Sequence, residues 1–137
     1  MVDASLWAAY RATDYRVLTT PPLVLAVDRP SPGLACLLKT FEVPEAVFIT
    51  AWNPHSRRCG DEINGNAQKD LEAELHRMAC RVLPAEGRAR QGNWPAEPSF
   101  LALGIDQMTA IALGREFGQN AIVWAGSDAC PRLIACA

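Results

Sequence analysis

Residues 46–51 read AVFITA, a short uncharged run that is partly β-branched, with Pro44 just before it and Pro54 just after. Such a run is too short for an independent helix and too apolar to lie at a wet edge. It reads as a strand buried at the centre of a sheet. Whatever else the chain forms must cover that strand, and the flanking segments can be read with this in view.

Ahead of it, Asp3 can cap a short helix ending near Arg11, with Leu6, Trp7 and Tyr10 on its apolar side. Tyr15 to Leu18 and Leu23 to Val27 read as strands around a Thr-Thr-Pro-Pro turn, where the missing proline N–H groups do no harm. Ser31-Pro32 is a helix-start signal, Leu34, Leu37, Leu38 and Phe41 follow at helical spacing, and Pro44 ends that helix. After AVFITA a polar loop, WNPHSRRCG, leads to Asp61 as an expected N-cap. Ile63, Ala67, Leu71, Leu75 and Met78 then mark one face of a long helix, with Gly65 an unfavourable residue near its start. Cys80 to Leu83 reads as a short strand closed by Pro84, and AEGRARQGNWPAEP as a loop. Ser99 to Leu103 is a strand, Asp106 caps a helix through about Phe117, and Gly118 ends it. Asn120 to Ala125 is a further strand, with Leu133 to Cys136 as a last one at an edge.

These elements predict one α/β (α+β) domain with helices packed on a mixed parallel/antiparallel sheet. The strand at 46–51, the long helix and the strand near 81–83 form one β-α-β unit, and 99–103, its helix and 120–125 form a second. A turn-back between the units sets them in opposite directions. The end of strand 46–51 then lies at the same sheet end as the starts of strands 99–103 and 120–125. The expected core includes Phe48, Leu71, Leu75, Leu101, Leu103, Ile111, Ile122 and Val123.

Length and composition narrow the function classes. A chain of 137 residues suits one domain. A net charge of −2 argues against non-specific nucleic-acid binding, which needs a strongly basic face. The 5 cysteines are odd in number and contain no CxxC pair, so they are read as reduced, mostly buried thiols of a cytoplasmic protein. The N-terminal segment lacks the order of a secretion signal, and no apolar run approaches the roughly 20 residues of a membrane helix. GxSxG, the P-loop and GxGxxG are all missing, so no cofactor is indicated and nucleophilic catalysis is poorly supported. His55 and Cys59, and again His76 and Cys80, stand four apart and could supply zinc ligands. The second pair lies roughly 30 Å along the long helix at about 1.5 Å per residue, so a shared metal is not expected.

Three polar motifs carry what chemistry is legible. Thr50-Ala51-Trp52-Asn53-Pro54-His55-Ser56 leaves the central strand, at the position where α/β sheets usually hold ligands. Trp94-Pro95-Ala96-Glu97-Pro98-Ser99 holds a carboxylate between two prolines and beside an indole. An indole that strips water from such a group is one way to make a general acid or base. Phe117-Gly118-Gln119-Asn120 places two amides after a helix end. Each motif, taken alone, could equally be a set of turn and cap residues. Arg57, Arg58, Arg88 and Arg90 lie in the converging loops, and together they would suit a phosphate or carboxylate.

Taken together, TAWNPHS, Asn64 seven residues before Leu71, WPAEPSFLALGI and GREFGQNAIVWAG resemble a small bacterial family of unknown function, one of the catalogued domains of that kind. The resemblance runs from the YRATDY segment to about Leu133. Its pattern falls on Thr50, Asn53, Pro54, Ser56, Asn64, Trp94, Glu97, Ser99, Phe117, Gln119 and Asn120, and Trp52 stands where tyrosine would be more usual. It implies no particular activity.

The expectation is a binding site for a small, anionic or nucleotide-like molecule, formed by Thr50, Asn53, Ser56, Arg57, Asn64, Trp94, Ser99 and Gln119. One alternative is a hydrolase or transferase with Glu97 as general acid or base and Ser56 or Ser99 positioning substrate. Another is a protein-interaction module using the Trp52 and Trp94 surface.

Overall fold

The computed structural model describes residues 3–136. Helix α1 (Ala4–Arg11) leads into strands β1 (Thr13–Val17) and β2 (Leu23–Leu25), helix α2 (Pro32–Thr40) and strand β3 (Ala46–Ile49). A tight turn at Pro54–Ser56 precedes the long helix α3 (Asp61–Met78). Strands β4 (Arg81–Ala89) and β5 (Glu97–Leu103), helix α4 (Gln107–Glu116) and strands β6 (Ala121–Ala125) and β7 (Arg132–Ala135) complete the chain. Three of the four expected N-caps act as read. Asp3, Ser31 and Asp106 each accept a hydrogen bond from a backbone N–H in the first turn of α1, α2 and α4. The N–H groups of Leu6 and Thr109 hold the Asp3 and Asp106 carboxyls below the usual carboxylate range. Gly118, at φ +70°, turns the chain out of α4.

All seven strands join one sheet in the order β2-β1-β4-β5-β3-β6-β7, and every pairing is antiparallel. This corrects the mixed sheet expected from the sequence. β3 and β4 do run the same way, as do β5 and β6, but neither couple is adjacent: β5 lies between β3 and β4, and β3 lies between β5 and β6. The two most apolar strands pair with each other at the centre, where both their faces can be covered. Each β-α-β unit is thereby split by one antiparallel strand, and the ends of the strands still meet as the directions require.

A second correction concerns β4. The strand does not stop at Pro84 but runs to Ala89, through residues expected to be loop. The Pro84 carbonyl accepts from the Leu18 N–H at 2.9 Å, so its N–H-less side faces the place where β1 runs out after the Val17–Ala85 pair. A proline costs no ladder bond there.

The sheet carries an apolar core on each face. On one, Leu34 and Leu38 of α2 pack on Val17, Leu25, Ala46, Leu101, Leu103 and Ala125. On the other, Leu71 and Leu75 of α3 and Ala110 and Leu113 of α4 pack on Val47, Ile49, Phe100, Ala102 and Ile122. Of the expected core, Ile111 is partly buried and the other seven residues are buried. The inward stripe of α3 differs from the expected one. Ile63 is 64% exposed and Met78 faces water, whereas Asn64, Gln68, Leu71 and Leu75 point in. Asp61 is the first helical residue, and Gly60 takes the cap position.

Among the described residues all five cysteines are free, but Cys36 and Cys80 are exposed, contrary to their expected burial. Both lie on the outer side of their segments. Cys130 and Cys136 are buried, and burial pushes the Cys136 thiol up to about 11. A thiol reagent at pH 8 should therefore modify Cys36 and Cys80 quickly, Cys59 more slowly, and Cys130 and Cys136 only on unfolding. Five equivalents should react in denaturant without reductant, and rapid native labelling of Cys136 would contradict this packing.

Candidate functional site

The face of the sheet that α2 covers is covered only at one end. Toward the other end, the residues on that face are Thr13 and Tyr15 of β1, Gly87 and Ala89 of β4, Glu97 and Ser99 of β5, and Ala121 of β6. Register joins them: Thr13 pairs with Ala89, and Gly87 pairs with both Tyr15 and Glu97. Small side chains at Gly87, Ala89, Ser99 and Ala121 leave space above the strands, and a cavity of about 430 Å³ opens there. Its aromatic wall includes Tyr15 and Phe48, whose rings meet edge to face at 5.1 Å. Burial pushes the Tyr15 phenol up, so it stays a neutral donor, to the Tyr10 carbonyl at 2.7 Å.

Helix α1 lies across this opening and presents Leu6, Ala9 and Tyr10 to it. No residue of α1 is buried, although the helix has an apolar side. Polar contacts hold it down. The Tyr10 hydroxyl lies 2.7 Å from the Ser56 hydroxyl, and the Asn120 amide donates to both at 3.2 Å.

The loop after β3 forms one rim, and its shape comes from buried amides. Asn53, left-handed at φ +47°, donates its N–H to Asn64 Oδ1 at 2.9 Å. Asn64 Nδ2 donates to Asn53 Oδ1 at 2.8 Å and to the Cys59 carbonyl at 3.2 Å. One turn further along α3, Gln68 accepts from the Ala51 N–H at 2.9 Å and donates to the Pro98 carbonyl at 3.0 Å. The FGQN segment locks the same loop from the other side. The Gly118 carbonyl accepts from the His55 N–H at 2.7 Å, and Gln119 Nε2 donates to the Trp52 and Phe117 carbonyls at 3.3 Å. A side chain at Gly118 would come within 3.0 Å of Pro54 Cβ, which is why glycine suits that contact as well as the positive φ.

Glu97 stands at the centre of the rim. Its Oε2 accepts from Asn53 Nδ2 at 3.1 Å and from the Trp94 indole N–H at 2.7 Å. No donor among the described residues reaches its Oε1. The indole touches the carboxylate through its polar edge, while one ring face carries the Arg58 guanidinium at 5.4 Å. Neither serine bonds to the carboxylate: Ser99 donates to the Glu97 main-chain carbonyl at 3.0 Å, and Ser56 is engaged with Tyr10.

Of the residues expected to form a site, Thr50, Asn53, Ser56, Trp94, Glu97, Ser99 and Gln119 line this one cavity. Asn64 lies behind it, bracing Asn53. Arg57 is exposed and outside the lining. The expected arginine cluster does not form on the cavity. Arg88 alternates to the strand side opposite Gly87 and Ala89, Arg90 pairs with Asp14 at 2.8 Å, and Arg58 covers Trp94. No Lys or Arg lines the cavity, which leaves Glu97 as its charged group. The His-x3-Cys pairs stay apart, and among the described residues no group of three or more His, Cys, Asp and Glu could hold a metal ion. No helix there is long and apolar enough to cross a membrane.

Five contributors escaped the sequence reading. Gln68 could have been found from its spacing, since 64, 68, 71 and 75 share one helix face. Tyr10 and Tyr15 are the first and last residues of the YRATDY segment but gave no chemical signal of their own. The small floor residues Gly87 and Ala121 acquire meaning only from strands that pair across the sheet.

Neither curated proteins nor solved structures contain a match to this chain. A family model does match, over residues 49–122, the stretch that holds the loop after β3, the amide-bearing face of α3, Glu97 and the FGQN turn. The match spans more than half of the chain, which therefore belongs to the family described as Protein of unknown function (DUF3293).

Proposed function

We propose that this protein binds a small organic molecule in the cavity beneath α1. The observation that carries the reading is the convergence of three distant segments on one void with a floor of small residues. A volume of about 430 Å³ is within the usual range for small-molecule sites, as is an apolar and aromatic wall with a few oriented polar groups. Trp94 and Glu97 would meet the ligand. Asn53, Asn64, Gln68 and Gln119 act as positioning residues that hold the rim. Because the arginines lie outside the lining, an anionic or nucleotide-like ligand is no longer the favoured class.

Gly87→Leu tests this directly. Gly87 does not have a positive φ, and the nearest atom to a side chain there is Thr13 Cγ2 at 3.8 Å, so leucine can enter the void without a backbone clash. A strand glycine is also entropically unfavourable, so the melting temperature should hold or rise. A fragment library screened by ligand-observed NMR should give hits on the wild type that vanish in Gly87→Leu. Equal hits on both proteins, or none on the wild type, would count against the cavity as a binding site.

A further inference from the structure

The cavity's polar groups are unequally used, and the inequality selects a ligand. Resting on the binding reading above, we infer that the site takes a molecule bearing a protonated amine or amidine on an apolar body, with Glu97 as its counterion.

Most donors on the lining are already committed within the protein. Thr50 Oγ1 donates to the Pro98 carbonyl at 2.7 Å, Ser99 Oγ to the Glu97 carbonyl, Asn53 Nδ2 to Glu97 Oε2, and Gln119 Nε2 to two main-chain carbonyls. The amide orientations follow from these partners, because only the nitrogen can donate to a carbonyl and only the oxygen can accept an N–H. What remains toward the cavity is acceptor capacity: Glu97 Oε1 and Gln119 Oε1 have no donor among the described residues. The exceptions are few: the second N–H of Asn53 Nδ2, Gln91 on the exposed lip and one hydroxyl proton of the Tyr10–Ser56 pair.

Charge points the same way. A half-buried carboxylate without a cationic partner is costly, and a ligand that supplies the partner recovers that cost. Asn53 and Trp94 fix Oε2, so Oε1 is presented in a set direction and little side-chain entropy is lost on binding. The rings of Tyr10, Tyr15 and Phe48 add faces that attract a cation and cover an apolar body. An anionic ligand would meet the opposite: a like charge and few spare donors.

Backbone-amide NMR titrations of the full chain at pH 7 with benzylamine, benzyl alcohol and benzoate test this. The three share a ring and differ in the charge and hydrogen-bonding of one group. Benzylamine should bind tightest, by about tenfold or more over benzyl alcohol, with shifts at Gly87, Ser99 and the Trp94 indole. Glu97→Gln keeps an oxygen for Asn53 and Trp94 but removes the charge. It should bring benzylamine down to the level of benzyl alcohol, while unchanged amide shifts away from the cavity, in α2 and β7, show that the variant is folded. If benzoate binds as well as benzylamine, or Glu97→Gln leaves benzylamine unaffected, the amine inference falls and the cavity reading survives. If none of the three shifts cavity resonances, both fall.

Discussion

Asn64→Leu should lower the unfolding free energy by about 3 kcal/mol or more, although it replaces a polar residue with a helix-favouring apolar one of similar size. Asn64 is 1% exposed and makes three hydrogen bonds to the loop after β3. Leucine would leave the Asn53 N–H and the Cys59 carbonyl without these partners and weaken the hold on Asn53 Oδ1. Each buried group left unpaired costs about 1–3 kcal/mol. The neighbouring change Ile63→Asn supplies the contrast: Ile63 faces solvent, and the effect should stay within about 0.5 kcal/mol. Urea unfolding of the two variants against the wild type measures both. The reverse order, with Ile63→Asn the more damaging, would mean that α3 presents its other face to the sheet. The loop should also loosen in Asn64→Leu, so amide exchange at Asn53 and Cys59 should quicken more than at Leu101 in the sheet centre.

The second large effect is expected at Gly114, where α4 crosses the sheet. A methyl group there would penetrate Cys136 Sγ and come within 3.0 Å of Ile122 Cγ2. Cys136 is itself buried, and its carbonyl accepts from Arg115 Nε, so the strand end cannot move away freely. Gly114→Ala should therefore destabilise by about 1–3 kcal/mol, the usual range for overpacking, despite the gain of up to about 1 kcal/mol that alanine brings to a helix interior. Adding Cys136→Ala removes the sulfur and should recover part of the loss, leaving the tighter fit at Ile122. A double-mutant cycle in urea reads that coupling. If Gly114→Ala is neutral or stabilising, the close approach of α4 to β6 and to Cys136 after β7 is wrong.

Both predictions concern positions that local reasoning misreads, and the cause is the same in each. Gly65 and Gly114 look alike in a helical pattern. A side chain at Gly65 would meet nothing within 4 Å, and one at Gly114 would meet the opposite strand. Ile63 and Asn64 are adjacent, and hydrophobicity alone selects Ile63 for the interior. The interior choice goes to Asn64 because the loop after β3 turns through left-handed Asn53 and leaves main-chain groups that need partners. An apolar residue cannot satisfy them. The site's amides were legible as a group, since the motifs stood out and the strand directions brought them to one sheet end. Their roles were not. Asn64 and Gln119 bond protein atoms, Glu97 keeps one oxygen without a protein donor, and Arg57 lies outside the lining.

What the chain's own local chemistry determined is the set of elements and their punctuation. Ser31-Pro32, Asp106 and Gly118 act through hydrogen bonds or backbone dihedrals that reach only a few residues, so they work whatever the rest of the chain does. The uncharged AVFI run was bound for the centre of a sheet for the same kind of reason, being apolar on both its faces. Tertiary structure alone decided which strands touch. A helix between two strands fixes their directions, but it leaves room for a third strand to slip between them, as β5 does between β3 and β4. That choice placed Gly87 beside Glu97, extended β4 beyond its proline, and left the small residues of three strands facing one void. Pairing is a contest among distant segments for the same hydrogen-bonding edge. Its outcome depends on the apolar area each alternative buries, a quantity that no window of local sequence contains.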